Sequence, residues 1–224
     1  MRRFLRENSL TLFFGAAFLL ALGFQAFSGY HDFNDRQLAH QSDPVSFGRY
    51  LTSSQFGVAM LENWQSEYLQ FTLFVLITVW LLQKGSPESK ELHRAGLESD
   101  KDQLLGEYAG PKSPRWARAG GWRTTVYSNS LLIVMSTIWL ASWLGQSVTG
   151  RIEYNAEQLE HHLETVSWVD YLGSPDFWER TLQNWQSEFL AVGSMAILAV
   201  YLRQRGSPES KPVGSPHDAT GVEG

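Results

Sequence analysis

Asn63-Trp64-Gln65-Ser66-Glu67 recurs as Asn184-Trp185-Gln186-Ser187-Glu188, the same five residues 121 positions later, each time at the entrance to a hydrophobic run. Both copies close on a second matching string, Gly85-Ser86-Pro87-Glu88-Ser89-Lys90 and Gly206-Ser207-Pro208-Glu209-Ser210-Lys211. An internal repeat restricts topology more than local propensity does. The same offset, without a gap, pairs Asn8-Ser9-Leu10 with Asn129-Ser130-Leu131, Asn34 with Asn155, Val45-Ser46 with Val166-Ser167, and Tyr50-Leu51 with Tyr171-Leu172. The halves are therefore residues 1–90 and 122–211, joined by a linker over 91–121 and followed by a tail over 212–224. Two copies are too few for a solenoid, which needs three or more. The expectation is one body with pseudo-two-fold symmetry.

Composition alone suggests a soluble domain, with 43% hydrophobic residues and a formal net charge of −5. The apolar residues are segregated, however. Leu10 to Phe27 and Thr125 to Val148 are long, nearly uncharged runs. Each approaches the length of about 20 residues that an α-helix needs to cross the hydrocarbon core. The runs Tyr68 to Leu82 and Phe189 to Leu202 reach that length when extended back through their Asn-Trp-Gln-Ser-Glu strings. The fold class expected is all-α: an integral membrane four-helix bundle of two tandem two-helix repeats, its pseudo-two-fold axis along the membrane normal. The basic start Met1-Arg2-Arg3 ahead of an apolar stretch also fits a cleavable signal peptide. The matching segment Arg123 to Gly150 lies in mid-chain, where it cannot be one, so both copies are read as retained helices.

Lys and Arg set orientation, because short cytoplasmic loops carry their excess. Fourteen of the 18 lie in the N-terminus, the segment 84–123 and the tail; only Arg36, Arg49, Arg151 and Arg180 lie in the loops 30–62 and 151–183. Both termini are expected in the cytoplasm and both loops outside. The net charge thus averages a basic face and an acidic one. Arg115, Arg118 and Arg123, interleaved with Trp116 and Trp122, mark a membrane interface.

Local signals place the elements. Asp43-Pro44 is expected to stop the first helix, since the residue before proline disfavours the α region. Ser174-Pro175-Asp176 offers an N-cap hydroxyl, a proline at the first helical position and an early acid. The helix it starts is expected to reach about Gln204, and its counterpart to start near Ser53-Ser54. Leu97 to Tyr108 is a candidate short surface helix, and the tail is compositionally disordered.

Glu67 lies 17 residues above Lys84, about 25 Å at 1.5 Å per residue, and Gln25 lies about 24 Å above Ser9 by the same rise. Asn63 and Glu67, like Asn184 and Glu188, are four apart and share a helix face. A polar ring of Gln25, Asn63, Glu67, Gln146, Asn184 and Glu188 at the outer membrane boundary follows if these faces point inward. Ionisable residues within a span mark a functional site by default. Amide and carboxylate side chains also join helices, so the ring is read as either a cation- or proton-binding level or packing glue. Thr137, Ala141, Gly145 and Thr149 fall every fourth residue, a small-residue face suited to self-association.

His31, His40, His161 and His162 lie in the outer loops without metal-ligand spacing, so no metal or other cofactor is expected. The sequence contains no cysteine. It shows no phosphate loop, nucleophile elbow or deaminase signature, and nucleic-acid binding is not supported. No catalytic residue is assigned: a structural or interaction protein is the first reading, a transporter or cation-binding protein the second, and a membrane-embedded enzyme, with only acids, amides and scattered histidines to draw on, the third.

Gln25, Gly29 and Asn34, then Tyr50, then Asn63 to Leu69, then Gly85-Ser86-Pro87-Glu88-Ser89, resemble the pattern of small bacterial multi-pass membrane proteins grouped only as a domain of unknown function. The resemblance covers both halves. It implies a bacterial cytoplasmic membrane and a duplicated four-helix body, and it implies no activity.

Overall fold

The structure is a computed structural model; it describes residues 1–222, with the side chain of Arg2 outside the description. The Arg2 side chain in the charge count, and Glu223 and Gly224 at the end of the tail, therefore lie outside the description. Within them the chain is all-helical, with nine α-helices, two 3-10 turns and no strand. The α-helices are α1 (Arg2–Glu7), α2 (Ser9–Ala39), α3 (Phe47–Leu51), α4 (Ser54–Ile77), α5 (Arg115–Ala119), α6 (Gly121–Ser128), α7 (Ser130–Glu160), α8 (Trp168–Leu172) and α9 (Pro175–Tyr201). Of these, α2 and α7 are long and apolar enough to cross a membrane. In α4 and α9, Glu62, Glu67, Glu179 and Glu188 interrupt the apolar pattern.

Local geometry recurs at the 121-residue offset. The breaks before α2 and α7 fall at Asn8 and Asn129, whose side-chain amides donate to the Phe4 and Thr125 carbonyls at 2.9 and 2.8 Å. After α2, the Asn34 side chain clamps Val45: its amide donates to the Val45 carbonyl at 3.1 Å while its oxygen accepts the Val45 N–H at 2.8 Å. Asn155 clamps Val166 in the same way, at 3.0 and 2.8 Å. Ser53 and Ser174 cap α4 and α9, each accepting an N–H three residues on at 3.2 Å, as Ser174-Pro175 leads one to expect.

The chain forms two compact units, each drawing on both halves. Unit 1 comprises residues 1–60 and 145–168. Its core is Ala26, Tyr50 and Phe56, with Phe33 and Tyr30 packed around them. Tyr50 comes so close to Gly29 that any Cβ there would collide with the phenol oxygen. Within this unit Ser54 donates to Glu153 at 2.9 Å, and Gly57 lies against the Thr149 methyl. Unit 2 comprises 61–144 and 169–222 among the described residues. Trp143 is its hub, with ring centroids 5.7 Å from Trp185, 6.0 Å from Phe177 and 6.0 Å from Trp139.

Four local expectations are corrected. Pro44 does not end α2: the chain turns earlier, at Gln41 with φ 58°, where Ser42 N–H reaches back to the Gln37 carbonyl at 2.8 Å. The second half has Thr165 in place of proline and still turns at His162, φ 58°, by the same bond from Leu163 to Gln158. The stop is thus a left-handed C-terminal turn. Second, α4 ends at Ile77 rather than Leu82. Thr78 turns its hydroxyl onto the Phe74 carbonyl at 2.6 Å, and the Gly96 N–H takes the Val79 carbonyl at 2.7 Å. Third, Leu97 to Tyr108 contains only a 3-10 turn, Gly106–Tyr108.

Fourth, residues 212–222 are ordered against the Gly85 loop. The buried Lys211 ammonium donates to the carbonyls of Gly85, Pro216, His217 and Ala219 at 2.5, 3.2, 2.8 and 3.2 Å. Thr220 Oγ1 accepts the Gly85 N–H at 2.8 Å, and the Gly221 N–H reaches the Ser86 carbonyl at 3.0 Å. One buried cation that gathers four carbonyls gives a polar segment a reason to order that composition does not show.

Candidate functional site: the polar seam between α4 and α9

In unit 2 the two Asn-Trp-Gln-Ser-Glu strings meet. The Trp185 indole N–H donates to Gln65 Oε1 at 2.7 Å, and the Ser66 hydroxyl donates to Glu188 Oε1 at 3.3 Å. Both residues of the first string are shielded, Gln65 at 0% and Ser66 at 1% exposure. Their positions follow from helical period. Gln65, Ser66, Leu69 and Thr72 fall within two turns of α4 and are all buried, so they form the face turned to neighbouring helices. On α9, Thr181, Trp185 and Glu188 follow at spacings of four and three. Thr181 is fully buried and accepts the Trp143 indole N–H at 3.4 Å. The single Ser66 hydroxyl hydrogen is shared between Glu188 and the Asn63 carbonyl, the latter at 3.0 Å, and Ser187 closes its own turn onto Asn184 at 2.8 Å.

Of the six residues of the expected ring, the seam uses Glu188 directly. Asn63 and Glu67 are exposed, while Asn184 is half-buried and its amide is spent on the Arg180 carbonyl at 2.8 Å. Gln25 and Gln146 belong to unit 1, the first exposed and the second 1% exposed with neither amide atom hydrogen-bonded. Sequence reasoning missed Gln65 and Ser66 as the pairing residues, although they stand inside the string that drew attention. Their spacing of three and four from Leu69 was the available signal.

Beyond the seam, four polar groups form a charged cluster on α4, α8 and α9. Arg180 Nε lies 3.2 Å from both Asp176 oxygens, its Nη1 lies 3.8 Å from Glu62, and the Tyr171 hydroxyl donates to Asp176 at 2.9 Å. Burial and the bond to Asp176 hold the Tyr171 phenol well above its ordinary pKa of 10.0. Burial also pushes the Glu62 carboxyl up, against the opposing pull of Arg180. Every carboxylate here has a cation or a donor close by, so the cluster reads as an internal tie between helix ends.

Among the described residues no three His, Asp or Glu side chains converge as metal ligands. The small-residue face is divided: Thr137 and Ala141 are exposed, whereas Thr149 packs against Gly57.

One family model, described as a domain of unknown function, DUF6766, matches residues 1–222. The chain belongs to the DUF6766 family. No curated protein and no solved structure matches it. Membership in DUF6766 assigns no chemistry to the seam.

Proposed function

We propose that the chain is a multi-pass protein of the bacterial cytoplasmic membrane, with structural or interaction duties, in which α2, α4, α7 and α9 cross the bilayer and the paired strings join helices. Exposed apolar side chains on all four helices support the membrane assignment. Phe13, Leu19 and Phe24 on α2, Phe71 on α4, Leu131 and Leu140 on α7, and Leu190 and Ile197 on α9 are each between 47 and 72% exposed. Water penalises so much uncovered apolar surface, and lipid does not. The distribution of Lys and Arg supports cytoplasmic termini. The two tandem halves then form a four-helix body with its pseudo-two-fold axis along the membrane normal. Thr137 and Ala141 remain available for contact with a second copy.

One observation carries the choice of seam over solute site: the strings spend their polar atoms on each other, Trp185 on Gln65 and Glu188 on Ser66. The polar atom of Gln65 left without a partner is its amide nitrogen, a donor, which does not attract a cation. A cation or proton pathway through Glu67 and Glu188 is the competing reading.

Two measurements separate them. In detergent, Gln65→Leu should lower the melting temperature of the full-length protein, because the Trp185 N–H is left buried without an acceptor at a cost of about 1 kcal/mol. Gln186→Leu, at an exposed position, should leave it unchanged. In reconstituted vesicles the wild-type protein should dissipate proton and potassium gradients no faster than empty vesicles. Flux that disappears in the Glu67→Gln, Glu188→Gln double variant would replace the seam with the pathway.

A further inference from the structure

Below the seam, residues of α4, of the segment that follows it and of α9 line a cavity of about 460 Å³. This lies within the range of about 300–1,000 Å³ usual for ligand pockets. Its two walls differ in a way that makes it a slot. Phe71, Phe74 and Leu81 supply large side chains from the α4 side, and α9 presents Ala191, Val192, Ala196 and Ala199 beside one long side chain, Met195. Of the polar groups in the lining, Gln83, Ser86, Glu88 and Ser89 lie in the segment that follows α4, while Gln70 stands on α4 and Thr78 just past its end. Glu88 is the one charged residue of the lining.

We infer that this slot binds one hydrocarbon chain of a membrane phospholipid whose amine headgroup rests at Glu88. The inference depends on the membrane reading above, which puts the slot in the cytoplasmic half of the bilayer and its polar end at the headgroup level. There an apolar recess is faced by lipid, and leaving it empty would forfeit dispersion contacts along both walls. A chain of methylenes suits the apolar lining, which runs from Phe71 on α4 past the helix end at Ile77 to Leu82. The charge decides among headgroups. A carboxylate at the mouth attracts a primary ammonium, which donates charge-assisted hydrogen bonds. Phosphatidylglycerol has no ammonium and forgoes that contact.

The test uses full-length protein extracted in mild detergent, supplied with phosphatidylethanolamine or phosphatidylglycerol of matched chains, and read by native mass spectrometry. The wild type should retain one phosphatidylethanolamine about tenfold more strongly than phosphatidylglycerol, a difference of one good polar contact. Ala196→Phe, which fills the slot, should lose the bound lipid. Glu88→Gln should keep a lipid and lose the preference between headgroups. Unfolding temperature and resistance to carbonate extraction accompany each variant. Should Ala196→Phe compromise folding, Ala191→Leu narrows the slot by a smaller change and is expected to weaken retention in the same direction. A folded, carbonate-resistant Ala196→Phe or Ala191→Leu protein that retains lipid as the wild type does overturns the slot. So does a dimer peak that Ala196→Phe abolishes, which would make a second copy the occupant. Wild-type protein released by carbonate overturns the membrane reading itself.

Discussion

Gln65 and Gln186 occupy the same place in identical strings, yet Gln65 is fully buried and Gln186 is exposed. The two serines differ likewise: both close their own turns, but Ser66 is shielded and also reaches Glu188, whereas Ser187 is exposed. It returns at the second string: the Gly85 loop is covered by the tail through Lys211 and Thr220, while nothing lies within 4 Å of where a Cβ would stand on Gly206. What the copies share is local. Caps, the asparagine clamps and the left-handed turns involve residues within about a dozen positions of each other, and they repeat almost to the tenth of an ångström. What they do not share depends on which other segment arrives, and there identical residues take different roles.

Glycine gives the largest expected gap between the copies. Gly85 and Gly206 both have left-handed backbones, φ 86° and 80°. Alanine at either place pays about 1–2 kcal/mol for that conformation. At position 85 the new methyl would also run into the His217 carbonyl and the Val200 side chain, adding about 1–3 kcal/mol of overpacking. Gly85→Ala should therefore lower the unfolding temperature clearly more than Gly206→Ala, and expose residues 212–222 to protease. Equal effects from the two variants would mean that the tail does not dock on the first loop.

The tyrosines come next. Tyr171 donates to Asp176 and Tyr50 packs against Gly29. Tyr171→Phe should cost about 1–2 kcal/mol through the lost bond and an acceptor deprived of its donor. Tyr50→Phe, which keeps the ring in the core and removes only the hydroxyl, should cost less than Tyr171→Phe. Both phenols are held above 10.0, by burial first and at Tyr171 also by Asp176. The folded state thus keeps its protons where the unfolded chain gives them up. The stability this supplies is complete below about pH 10 and is lost as pH rises beyond it. Unfolding followed between neutral and strongly alkaline pH should show a steeper loss in the wild type than in Tyr171→Phe.

Much of this arrangement is legible in the residues, but only where cause and effect lie close along the chain. Ser174-Pro175-Asp176 announces the start of α9, and the offset of 121 residues places the start of α4 from it. The apolar runs locate α2 and α7. The early end of α4 is different, because it depends on Gly96 returning to the Val79 carbonyl. The ordering of the tail depends on Lys211 finding carbonyls from two separate stretches. Neither partner can be read from spacing. The turn at Gln41 is obscured for another reason: a nearby proline offers a sufficient explanation, and the second copy, which has none, shows that it is not the operative one. At the seam, periodicity put Asn63 and Glu67 on one face. The buried face of α4 carries Gln65 and Ser66 instead, and hydropathy does not mark it because both are polar.

The asparagine clamps bound the comparison from the other side, since here the copies should respond alike. Asn34 and Asn155 each satisfy both the N–H and the carbonyl of a valine eleven residues on, at distances that agree within 0.1 Å. Alanine at either position leaves those two backbone groups without protein partners, at about 1–3 kcal/mol. Because the clamp is closed within its own half, the two losses should agree within about 0.5 kcal/mol and should add in the double variant, as independent sites do. Thermal unfolding of Asn34→Ala, Asn155→Ala and the pair measures this directly. A strong asymmetry would show that even these local devices lean on the segment packed against them, and the division between what was duplicated and what diverged would have to be drawn elsewhere.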